Sequence, residues 1–112
     1  MTHFNRRPEF SQEFKRLSKK YRSLEQDMSD LEDVLKTWPI GSGKNFTVIH
    51  NDEEVKIVKA RLMCKTLRNR NIRIIYAHHD NTFEFMYLEI YFKGDKANED
   101  RERIRNYLKN QG

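Results

Sequence analysis

The chain has one cysteine, Cys64, so no internal disulfide can form. A chain without disulfides is typical of a reducing compartment. No stretch is apolar for long enough to span a bilayer. Residues 1–10 include Arg6, Arg7 and Glu9 and lack the apolar run of a secretory signal. Internal repeats, low-complexity tracts and linker-like segments are also missing. We therefore expect one soluble, cytoplasmic domain covering residues 1–112.

Acidic residues are missing from one long segment, and basic residues from another. Apolar residues make up 37% of the chain, enough for a core although 35% of the residues are charged. The net charge is +5. Residues 55–79 contain seven Lys or Arg and no acid, whereas residues 24–35 contain five acids and no base. We expect a folded domain with a positive and a negative side, and the positive side favours a polyanion such as RNA.

Two helices are predicted near the N-terminus by apolar residues at helical spacing. Ser11 is the expected N-cap of the first helix. A capping box from Ser23 to Gln26 should begin the second, and Pro39 should end it. The apolar stripes consist of Phe14, Leu17, Tyr21 and Leu24, then Leu24, Met28, Leu31, Leu35 and Trp38. The two helices should pack as a hairpin on an apolar surface.

The remaining sequence predicts strands and then one more helix. The predicted strands cover residues 46–50, 55–67, 72–78 and 83–93. Residues 80–82 should form a tight turn, and Asn98 should cap the last helix. The sequence therefore predicts an α+β fold: an N-terminal helical hairpin packed on a three- to four-stranded antiparallel sheet, with a C-terminal helix.

Strand periodicity assigns side chains to the two faces of this sheet. One face should hold Val58, Ala60, Leu62 and Cys64 from one strand, with Met86, Leu88, Ile90 and Phe92 from another. If the helices cover that face, the opposite face should present Lys59, Arg61, Tyr87, Glu89, Tyr91 and Lys93, joined by Arg73 if the register permits. Such a face suits RNA, because cations hold phosphates and flat rings stack on unpaired bases.

Three stretches of the sequence resemble the RelE-like toxins of bacterial type II toxin–antitoxin systems, within the RelE/ParE superfamily. They are Glu13–Leu24 with the acidic helix and Trp38-Pro39 that follow, Val58–Arg61 with Ile72–Ala77, and Leu88–Asn98. The resemblance covers about residues 8 to 109. It implies a messenger-RNA endonuclease acting in the ribosomal A site and a cognate antitoxin that covers the basic face. Other proteins of this superfamily poison DNA gyrase.

The resemblance also implies roles for individual residues. It places Lys59, Arg61 and Arg73 where the nucleases hold phosphate-binding and catalytic cations. Many of these nucleases have an acid–base Tyr or His near the C-terminus, but Tyr107 is predicted here to be helix core.

Cleavage of RNA by its own 2′-hydroxyl needs a base, an acid and cations for the developing charge. Arg61 and Arg73 can only stabilise charge, because arginine stays protonated. The candidates for proton transfer are Lys59, Glu89 and Tyr91. Glu89 also has a purely structural interpretation, as the ion-pair partner of Arg73 or Lys59. The further nucleic-acid-binding candidates are Lys56, Lys65, Arg68, Arg70, Lys93 and Lys96.

Three other features point away from metals, phosphate loops and thiol chemistry. Adjacent residues of a strand point to opposite faces, so His78 and His79 should not share an ion. The segment Gly41–Lys44 lacks the spacing of a phosphate loop. Cys64 belongs to an apolar row and should be core. We expect no metal and no cofactor.

The sequence thus predicts a RelE-like toxin that is a metal-independent endoribonuclease, or mRNA interferase, and inhibits translation. Its expected partners are a cognate antitoxin and messenger RNA on the ribosome, with no membrane and no small-molecule cofactor. One alternative is a gyrase-directed toxin of the same fold, which would not need clustered cations on the sheet. The other is a module that binds RNA or an antitoxin without catalysis.

Overall fold

The computed structural model describes residues 2–110, which form five strands and three helices. In chain order they are β1 (His3–Arg6), α1 (Pro8–Lys20), α2 (Leu24–Thr37), β2 (Phe46–Asn51), β3 (Val55–Cys64), β4 (Asn69–His79), β5 (Glu84–Phe92) and α3 (Arg101–Lys109). The α+β class and the order of helical hairpin, sheet and last helix are confirmed. None of these helices combines the length and apolar character needed to cross a membrane.

The sheet is larger than predicted, and it is mixed. Its strand order is β1-β5-β4-β3-β2, with β1 parallel to β5 and the other pairs antiparallel. The prediction of three or four antiparallel strands was wrong because it missed β1. Only four residues form this strand, and its one inward aromatic, Phe4, stacks on Phe85 with ring centroids 4.7 Å apart. So short a segment has no periodic pattern to reveal it.

The helical hairpin covers one face of the sheet and forms the hairpin-side core. The helices contribute Phe10, Phe14, Leu17, Leu24, Met28, Leu31 and Leu35. Beneath them lie Val58, Ala60, Leu62 and Cys64 of β3, as their alternation predicted. The core position of Cys64 is also confirmed, since its side chain is fully buried.

The helix caps differ from those predicted. Helix α1 begins at Pro8, three residues before Ser11, because proline already has the backbone angle of a first helical residue. Ser23 does precede α2, but its hydroxyl bonds Asp27 and Thr66 and makes no capping bond. Asp100, not Asn98, caps α3, and its carboxylate accepts a hydrogen bond from the Arg103 N–H at 3.0 Å.

A β-bulge in β5 reverses the predicted faces of half this strand. Ile75 pairs with Glu89 but Tyr76 pairs with Tyr87, so Leu88 is the extra residue. Ile90 and Phe92 consequently face the helical hairpin, whereas Met86 and Leu88 face the other way. Tyr87, predicted on the basic face, is 0% exposed in the hairpin-side core, and its hydroxyl donates to Glu32 at 3.1 Å.

The opposite face of the sheet is not free, because α3 packs on part of it. This α3-side core consists of Val55, Ile57, Ile75, Ala77, Leu88, Tyr91, Ile104 and Tyr107. The prediction that all helices lie on one side was therefore wrong. Helix α3 covers the end of the sheet where β3 begins and leaves the other end uncovered; there Arg61 is exposed, although Arg73 opposite it is buried.

The buried position of Tyr87 predicts a large loss of stability on truncation. Tyr87→Ala should lower the free energy of unfolding by about 3–5 kcal/mol, because removal of a buried aromatic ring leaves a cavity. Equilibrium urea unfolding of both proteins measures the difference. If the free energy of unfolding falls by less than about 1 kcal/mol, Tyr87 lies on the surface, which is the position that simple alternation along β5 predicts.

Candidate nucleic-acid interface

The uncovered end of the sheet holds a row of predicted site residues on three neighbouring strands. Arg61 of β3 lies opposite Arg73 of β4, and Arg73 lies opposite Tyr91 of β5. Lys59 stands on the same face, two residues along β3 from Arg61, a step of roughly 6.6 Å. The register thus points Arg73 to the same face as Lys59 and Arg61, as the sequence predicted, and it brings these three cations together. We call Lys59, Arg61 and Arg73 the cation cluster.

Arg73 is the least expected member of the cation cluster. The residue is 6% exposed, and among residues 2–110 no carboxylate lies within 4 Å of its guanidinium. One guanidinium nitrogen donates to the Arg70 carbonyl. Burial and the charge of Arg61 lower the pKa of Arg73. Like charges directly opposite in a sheet are destabilising, and a buried charge without a counter-ion is costly, so this arrangement favours an anionic ligand.

A carboxylate that the sequence analysis missed completes the site. Glu99, just before α3, is 3% exposed in its side chain. Its Oε1 accepts a hydrogen bond from Lys59 Nζ at 3.0 Å, and its Oε2 lies 3.2 Å from an Arg101 guanidinium nitrogen. Lys59, Arg61, Glu99 and Arg101 line one cavity of about 200 Å³ with Thr47, Ile49 and Asn98. Glu99 was missed because its place beside the capping residues of α3 suggested only a favourable charge near a helix N-terminus.

The Glu99 carboxyl is held in its ionised form. Burial by itself would raise the pKa of Glu99. A backbone hydrogen bond, the hydrogen bond from Lys59 and the charges of Lys59 and Arg101 outweigh burial, and the pKa lies below its ordinary value. The site therefore combines cations with a carboxylate able to accept a proton.

Glu89 and Tyr91 lie beneath this surface. Glu89 is 1% exposed; it pairs with Lys96 and accepts a hydrogen bond from the Asp100 N–H at 2.8 Å. The expectation that Arg73 or Lys59 would be its ion-pair partner was wrong. Tyr91 has a buried hydroxyl without a hydrogen-bond partner among residues 2–110, and burial raises its pKa. Tyr91 is the cross-strand neighbour of Arg73, whereas Glu89 is directed to the start of α3.

The other predicted RNA-binding cations are scattered. Arg68 is exposed in the turn between β3 and β4, and Arg70 is exposed at the start of β4, near the uncovered end of the sheet. Lys93 is exposed just after β5, and Lys96 lies with its ammonium 5.2 Å from the centre of the Tyr91 ring.

Two of the predicted cations lie away from this end. Lys56 pairs with Asp80 at the end of the sheet that α3 covers. Lys65 pairs with Asp30 of α2, on the side of the helical hairpin, at 3.1 Å. The structure therefore does not bring Lys56 or Lys65 to the cation cluster.

The two adjacent histidines point to opposite faces, as predicted. His78 packs on Phe85, with ring centroids 4.7 Å apart, whereas His79 hydrogen-bonds the Tyr107 hydroxyl below α3. Tyr107 is buried in the α3-side core, which confirms its predicted position. Burial raises the pKa of Tyr107 to about 12.

The described residues combine a helical hairpin on one face of the sheet, a short helix on the other and a cation cluster at the uncovered end. The structure is similar to a chain of the crystal structure of the archaeal RelE–RelB complex from Pyrococcus horikoshii OT3, with a TM-score of 0.64. The match covers 85% of this chain and 98% of that chain at 14% sequence identity. No protein-family model and no curated protein sequence matches this chain. The resemblance seen in the sequence is thus confirmed at the level of the fold, with an archaeal rather than a bacterial protein as the similar structure.

Proposed function

We propose that this protein is the toxin of a type II toxin–antitoxin system and that it acts on RNA through the cation cluster. The observation that carries the proposal is Arg73: a buried guanidinium, opposite a second arginine, with no carboxylate within 4 Å among residues 2–110. A phosphate would supply the missing negative charge. The planar fork of the arginine guanidinium suits this ligand, because it can grip two phosphate oxygens at once.

The proposed reaction is cleavage of messenger RNA without a metal ion. As the attacked phosphate gains negative charge, Arg61 and Arg73 would stabilise it from one side, and Lys59 would contact it from the cavity. The resemblance to RelE-like toxins adds the ribosome as the place of action. It also adds a cognate antitoxin as the partner, in keeping with the RelE–RelB complex that contains the similar chain.

The two alternative functions make different demands on the same surface. A gyrase-directed toxin of this fold has no need for Arg73 to be buried opposite Arg61, so the cation cluster disfavours it. A module without catalysis would need the cations but no proton-transfer group. Ionised Glu99 beside Lys59 favours an enzyme over such a module.

Binding of RNA should depend steeply on salt, because phosphate contacts release counterions. Replacing both Lys59 and Arg61 by alanine should weaken binding of single-stranded RNA. It should also reduce the slope of log K against log salt by about 1.4, roughly 0.7 for each lost phosphate contact. Fluorescence anisotropy of a labelled oligonucleotide at several salt concentrations measures both quantities.

A matched double variant separates the cation cluster from general basicity. Lys15→Ala with Lys19→Ala removes the same net charge from α1, an exposed site on the other side of the sheet. Its salt slope should stay close to that of the wild type. Equal losses in the two double variants, or RNA binding that ignores salt, would remove the cation cluster as the RNA site.

A further inference from the structure

The Lys59–Glu99 pair is a second unusual feature of the site. The two groups are in direct contact, with Nζ and Oε1 3.0 Å apart, and both line the cavity of about 200 Å³ beside Arg61. An ion pair that served only to attach α3 would not need to border a cavity among cations. Two other ion pairs already attach this part of the chain, Glu13–Arg103 and Glu89–Lys96.

The described residues leave few other groups for proton transfer at this site. Arg61, Arg73 and Arg101 stay protonated. The Tyr91 hydroxyl is buried, and the pKa of Tyr91 is raised. Glu89 is directed to Lys96 and the start of α3. Lys59 and Glu99 are the acid–base pair that borders the cavity.

We infer that Glu99 is the base and Lys59 the acid of the proposed RNA cleavage, so that this inference rests on the proposed function. The Glu99 carboxylate takes the proton of the ribose 2′-hydroxyl as that oxygen forms a bond to phosphorus. The bond from phosphorus to the 5′-oxygen breaks, and the Lys59 ammonium gives that oxygen its proton. The products are a 2′,3′-cyclic phosphate and a 5′-hydroxyl.

The contact between the two groups also restores them after each cleavage. The reaction leaves Glu99 as a carboxylic acid and Lys59 as a neutral amine. Because the two atoms are at hydrogen-bond distance, the proton passes directly from Glu99 to Lys59. The resting ion pair forms again without a further residue, and the proton count of the enzyme is unchanged over the cycle.

The test compares Glu99→Gln, Lys59→Arg and their combination with the wild type on messenger RNA in programmed ribosomes. Each single variant should lose about a hundredfold to ten-thousandfold in cleavage rate, the usual contribution of a general acid or base. Affinity for a labelled RNA oligonucleotide should stay equal or rise in Glu99→Gln, since a negative charge is removed, and should stay equal in Lys59→Arg. The double variant should be about as slow as the slower single variant, because residues that act as a unit are not additive.

Glu102→Gln is the matched control, since Glu102 is an exposed carboxylate three residues further along, in the first turn of α3. It should cleave like the wild type. If Glu99→Gln unfolds, Lys59→Arg still decides the question, because arginine retains the charge that pairs with Glu99. Full activity of Lys59→Arg or of folded Glu99→Gln would overturn the inference and leave the proposed function standing. A product with a 5′-phosphate instead of a 5′-hydroxyl would have the same two consequences. A wild type that cleaves no RNA would overturn both.

Discussion

Arg73→Lys is expected to cut the cleavage rate by about a hundredfold while RNA affinity and melting temperature stay nearly unchanged. Lysine retains the positive charge but lacks the planar fork that holds two phosphate oxygens at once. A loss of this size is typical of removing one oriented donor to the charge that develops in a transition state. Arg73 is placed for this role by its burial and by its position opposite Arg61.

The measurement is cleavage of messenger RNA on programmed ribosomes, beside a thermal melt of each protein. Arg22→Lys, at the exposed turn between α1 and α2, is the matched control and should cleave at the wild-type rate. Full activity of Arg73→Lys would show that Arg73 is not a transition-state group. A large fall in melting temperature with a parallel loss of activity would assign it a structural role through its hydrogen bond to the Arg70 carbonyl.

Much of the fold could be predicted from local patterns. The helical spacing of apolar residues located α1 and α2, and Pro39 marked the end of the second helix. The strict alternation along β3 assigned Val58 and Lys59 to the correct faces. In β3 the two faces differ in chemistry, so the period of two is visible in the sequence.

Other parts of the fold depend on contacts between distant segments. Both faces of β5 are apolar or aromatic over much of its length, so its sequence gives no sign of the bulge at Leu88 that turns Tyr87 into the core. The strand β1 exists because β5 offers a free edge. The side on which α3 packs is likewise set by tertiary contacts, such as the ion pair between Arg103 and Glu13 at 2.9 Å.

The site could be predicted only in part for the same reason. Lys59, Arg61 and Arg73 were found because two basic strands lie next to each other both in sequence and in the sheet. Glu99 is 40 residues from Lys59 along the chain, and no spacing rule connects them. Glu89 had the more suggestive position in sequence, in a strand beside Tyr91, but the fold directs it to Lys96.

The most direct test of the proposed toxin function is induction of this protein alone in cells, with protein and DNA synthesis followed from the first minutes by labelled precursors. Growth should arrest, and amino-acid incorporation should fall before replication slows, because cleaved messenger RNA stops translation first. Arg73→Ala, shown to be folded, should allow growth under the same induction. An arrest in which replication stops first, with damaged DNA and continuing protein synthesis, would contradict the proposal that the target is RNA and would point to gyrase. Normal growth with soluble, folded protein would contradict the proposal that this protein is a toxin.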